Sequence, residues 1–73
     1  MTWRVPLAEG AIDAAEHALA ADRDDEELYR RLMQLQIAVG RTYAAKGVFR
    51  ELEAHLSEID AEPAEESARL LRQ

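Results

Sequence analysis

Leucine and valine recur along the middle of this chain at the spacing of one helix face. Advancing about 100° per residue, Leu28, Leu32, Leu35 and Val39 fall in a single stripe, which Tyr29, Met33 and Ile37 widen to roughly half the circumference. The pattern predicts a helix over residues 25–39 that is covered from two sides, the middle of a stack. After Gly40 and Arg41, a second stripe of Ala45, Val48, Phe49, Leu52, Leu56 and Ile59 backs onto Lys46, Arg50, Glu53 and Ser57, which predicts a helix over 42–59. Upstream, Ala8, Ile12, Ala15 and Leu19, flanked by Ala11 and Ala18, predict a helix over 8–20. Its apolar face is mostly alanine and permits close approach. Pro63 opens a last short helix, Ala64 to Leu71, with Ser67, Leu70 and Leu71 inward.

The breaks carry their own signals. Pro6 suits a first helical turn, where its missing N–H costs nothing. Asp24 is placed to cap the central helix, with Glu27 three residues on completing a capping box, and the acids 25–27 face the positive end of the helix dipole. Gly40 ends that helix as a residue free to turn left-handed. So short a connection folds the next helix back antiparallel. Asp60 stands where a second stop is needed, and Asp tolerates the left-handed region better than most residues. Shifting the chain by 34 residues places Ala11 on Ala45 and Ala18 on Leu52, the faint trace of a helical repeat.

Composition narrows the function classes. Seventy-three residues make a single domain, 1–73, near the lower size limit for an unaided core. With no cysteine and no zinc-finger ligand set, stability comes from helix packing or from another chain. The formal charge is −6, and the basic residues are scattered among acids. Binding nucleic acid by displacing phosphate counterions needs a basic patch, so no direct nucleic-acid binding is expected. No run reaches the length of a membrane span, and a cytoplasmic location is expected. Asp13 with His17, and Glu51 with His55, stand four apart, but two ligands fall short of the four of structural zinc. The acidic run 22–27 reads as a solvated helix start. Gly10, Gly40 and Gly47 are too dispersed to cradle a phosphate. No nucleophile–base pair is present. No enzyme, metal or cofactor is expected.

The ordered set DEELYRRLM at Asp25 to Met33, AVGR at Ala38 to Arg41, and EIDAEP at Glu58 to Pro63 resembles the bacterial transcriptional activator domain, over roughly residues 11–73. The family is a tetratricopeptide-like helical module of actinobacterial transcription regulators. The resemblance implies antiparallel helical hairpins, three long helices plus a short C-terminal one, corresponding to the C-terminal half of the module. Asp60 replaces the family's turn glycine, Lys46 and Gly47 replace better-packing residues, and Ala64 stands where a Ser cap is common. It further implies a protein-interaction or dimerisation module, the partner being a second copy or the remainder of a larger regulator. A structural spacer or cap, and a ligand-sensing helical domain, are the alternatives. The surface expected to be left open by a missing neighbour runs along Ala11 and Ala18, with Trp3 as a candidate anchor. Tyr43, pointing off the main stripe of its helix, marks the alternative side.

Overall fold

The computed structural model describes the backbone of residues 4–72 and the side chains of residues 10–72. Four helices follow one another: α1 (Arg4–Ala21), α2 (Glu26–Ala38), α3 (Thr42–Ser57) and α4 (Glu65–Leu70). The first begins four residues ahead of the predicted start, and Pro6 lies in its opening turn. Trp3 and the side chain of Ala8 fall outside the described residues.

Asp25, not Asp24, caps α2. Its extended backbone (φ −88°, ψ 98°) brings Oδ1 to 3.0 Å from the amide of Glu27, which donates to it. Asp24 lies one residue too early, in a turn where its own amide donates to Asp22 Oδ1 at 3.3 Å. The local chemistry allowed either aspartate as the cap, and the turn after α1 selects the second. At the far end of α2, Gly40 takes φ 82°. Its amide donates to the Ile37 carbonyl and that of Arg41 to the Gln36 carbonyl, at 3.0 and 2.7 Å, the paired bonds of a Schellman turn. The end of α3 repeats this motif. Asp60 has φ 57°, its amide donates to Ser57, and that of Ala61 donates to Leu56, at 3.2 and 2.9 Å.

That second turn corrects one expectation. The helix ends at Ser57, so Ile59 leaves the apolar face and is 67% exposed. Leu56, one turn earlier, still packs on the core.

The long helices lie side by side with α2 in the middle, touching α1 on one flank and α3 on the other, while α4 packs on α2. Direction is fixed by contacts at the ends: His55, late in α3, meets Asp24, just ahead of α2, so the α2–α3 pair is antiparallel. The core consists of Ile12 and Ala15 from α1, Tyr29, Leu32 and Met33 from α2, and Ala45, Val48 and Leu52 from α3. On α2 the buried stripe is therefore Tyr29, Leu32, Met33 and Gln36, whereas Leu28, Leu35 and Val39 are only half-buried. The predicted stripe had the right width: Leu35, Ile37 and Val39 pack against the core from its edges, and Leu28 does not join it. Half of α2 is apolar, and only the placement of its neighbours decides which part of that half is sealed.

The repeat register also changes. Ala11 and Ala18 are exposed while Ala45 and Leu52 are buried, so a shift of 34 pairs opposite faces. A shift of 33 places Ile12, Ala15 and Leu19 on Ala45, Val48 and Leu52, all of which belong to the core or pack against it.

Candidate interaction surface

Between α1 and α2, on the side away from α3, runs an open groove of about 630 Å³. Its α1 wall is Ala11, Ala14, Ala15 and Ala18, and its α2 wall is Leu28, Arg31, Gln34 and Leu35. Each wall follows from helical spacing: residues three, four and seven apart stack on one face. The alanines leave room, and the leucines supply apolar area on the opposite side. Among the described residues no carboxylate lines the groove, and Arg31 is the one charged residue that does. In a chain with fifteen acidic residues and a charge of −6, that local clearing of acids distinguishes this face.

A smaller cleft of about 190 Å³ opens where α1, α2 and α3 meet. Leu19, Leu32 and Val48 form its apolar floor, and Glu16, Arg23 and Glu51 stand at its rim with Tyr29. Burial pushes the Tyr29 phenol up from its ordinary pKa, against the opposing influence of Arg23. The rim carries both signs of charge and no arranged nucleophile and base.

The histidines have local partners. His17 Nδ1 lies 2.8 Å from the Asp13 carbonyl oxygen and 3.6 Å from its carboxylate. That carbonyl first, and then the carboxylate charge, raise the pKa of this exposed imidazole above its usual value. His55 Nε2 lies 2.8 Å from Asp24 Oδ1. Among the described residues no group of three or more His, Cys, Asp or Glu is placed to hold a metal ion. No helix among them is long and apolar enough to cross a membrane.

Of the residues singled out as a candidate interface, Ala11 and Ala18 stand together on the α1 wall, and Trp3 lies outside the described residues. Tyr43 is 82% exposed at the start of α3 and is not part of the groove. Sequence reasoning missed the opposite wall. Leu28 and Leu35, seven apart with Arg31 between them, are the available signal; periodicity places both on the core stripe, and Leu35 serves core and groove at once.

The sequence model of the bacterial transcriptional activator domain matches residues 1–73, the whole chain. The chain belongs to that family. The match extends the resemblance from residues 11–73 to the full length, and it makes this a domain of bacterial transcriptional activators, a regulatory family. Comparison with curated proteins and with solved structures gives no match.

Proposed function

We propose that this domain is a cytoplasmic protein-interaction module of a bacterial transcription regulator, and that the α1–α2 groove is its docking face, taking a helix of a second copy. One observation carries the reading: the groove is apolar, lined by small residues on one wall, and without a carboxylate among its described residues on an otherwise acidic molecule. Depletion of charge at the centre of a contact patch is the compositional signal of protein interfaces. Alanine rows let two helix backbones approach closely, and Leu28 and Leu35 offer the apolar area that holds them. In a helical repeat stack each hairpin relies on a neighbour to cover such a face. Catalysis is not part of this reading, because it rests on surface complementarity alone.

Light scattering of the purified chain over a wide concentration range tests the proposal, with Ala18→Glu measured alongside. Ala18 is exposed, so the substitution leaves the fold intact and sets a charge against the incoming helix. We expect reversible association that weakens at least tenfold in Ala18→Glu and changes little with salt, since apolar contact drives it. A strict monomer at millimolar concentration, or a dimer indifferent to Ala18→Glu, overturns it.

A further inference from the structure

The shortest helix is held in an unusual way. Six residues are too few for a helix to persist alone in water, and Ala64, at the N-cap position of α4, has no side chain that can cap it. The cap comes from another element. Glu26, in the first turn of α2, reaches across with Oε2, which accepts from the amide of Ala64 at 2.6 Å and from the hydroxyl of Ser67 at 2.8 Å. Arg30, one turn along α2, stands 3.7 Å from the same oxygen, so the carboxylate is steered from its own helix. Ser67 is fully buried, and Glu26 is its hydroxyl's partner.

What α4 does not hold is equally informative. Among the described residues, every buried hydrophobic of the core comes from α1, α2 or α3. From the C-terminal segment, Leu70 and Leu71 pack against that core from outside and remain half-buried. The segment joining α3 to α4 contains Asp60 in the left-handed region and Pro63, so the two helices are not one continuous rod.

We propose that α4 is a latch on the α2 face. It opens and closes as a unit while α1, α2 and α3 stay folded, and the Glu26 carboxylate is the catch. Opening frees the Ala64 amide and the Ser67 hydroxyl to water and uncovers the part of α2 beneath Leu70 and Leu71. Closing satisfies both donors through one oxygen. Segments with few buried contacts open locally at lower cost than the whole domain unfolds, and here one side chain sets that cost. The device is independent of the α1–α2 groove and adds a second face whose exposure is controlled.

The chain contains its own reporter. Trypsin cleaves after Arg69, within α4, only when that helix is open, and after Arg30 or Arg50 only when α2 or α3 is. Cleavage of a transiently opened segment follows the population of the open form when reclosing is fast. Intact-mass readings over time on the whole chain therefore report each element separately. Losing hydrogen bonds to a charged group raises the open fraction by roughly ten- to a hundredfold, so Glu26→Ala is expected to speed the Arg69 cut by that factor. Ser67→Ala, which leaves α2 untouched, speeds it several-fold. The cuts after Arg30 and Arg50 change less than twofold in Ser67→Ala. Equal acceleration at all three sites in Ser67→Ala means that α4 opens only with the whole domain, and overturns the latch. An unchanged Arg69 cut in Glu26→Ala overturns the role of the carboxylate.

Discussion

Asp60 does at the end of α3 what Gly40 does at the end of α2. Both residues reverse the chain in the left-handed region, with φ 57° and 82°, and both sit in the same pair of backbone hydrogen bonds. Glycine takes that conformation without penalty, while any residue with a Cβ crowds the backbone there. Replacing Asp60 by Gly should therefore stabilise the domain. The gain is limited to about 0.5–1 kcal/mol, because the added freedom of glycine also favours the unfolded chain. Denaturant unfolding of Asp60→Gly beside the parent chain measures it, and a loss of stability would show that the aspartate side chain contributes more than its strain costs. At this scale the sequence is legible wherever one residue's backbone decides the outcome. It is not at Asp24, where two adjacent aspartates have equal chemistry and the turn geometry selects Asp25.

Among the elements, α2 bears most of the packing, with α1 and α3 on its flanks and α4 against it. Leu32 is buried within the sealed stripe and lines the three-helix cleft together with Leu19 of α1 and Val48 of α3. Leu32→Ala is expected to cost about 2–5 kcal/mol, the range for a large-to-small change where neighbours cannot collapse into the space. A thermal melt that scarcely moves would remove α2 from the centre of the stack. Leu35, half-buried on the groove wall, should be cheaper to truncate than Leu32, although periodicity put both in one stripe. Gln36 closes the sealed stripe at 6% exposure with its Oε1 unpartnered. A polar residue on that face is invisible to a hydrophobic pattern, so periodicity marks Val39 at the end of the stripe and passes over Gln36.

The described residues form a slab of 43 × 28 × 16 Å. A slab exposes both broad faces, so an open apolar groove follows from the shape. Its charge bears on a different class of partner. Several basic side chains already face acids: Arg30 lies 3.7 Å from Glu26, and Arg69 and Arg72 stand 3.9 and 3.5 Å from Glu65. A net charge of −6 with the basic residues scattered among acids argues against duplex recognition, which begins from a basic stripe. The purified 73 residues are expected to leave duplex DNA unretarded at physiological salt in a gel-shift titration, and sequence-selective retardation would contradict that expectation.

The number of helices, their order, the breaks between them and the left-handed turns at Gly40 and Asp60 are all legible along the chain. Those features depend on periodicity and on the backbone freedom of single residues, and both are local. Packing against the neighbouring helices selects which part of the apolar half of α2 is sealed, and it leaves Leu28 and Leu35 half-buried on a groove wall, with Leu35 also touching the core. It also decided that Glu26, which reads as one of three acids at a helix start, would cap a helix 38 residues away, and that His55 would meet Asp24. These pairings depend on how helices cross and where their ends arrive in space. Spacing along the chain specifies what each helix can present, and only packing against its neighbours settles what it meets.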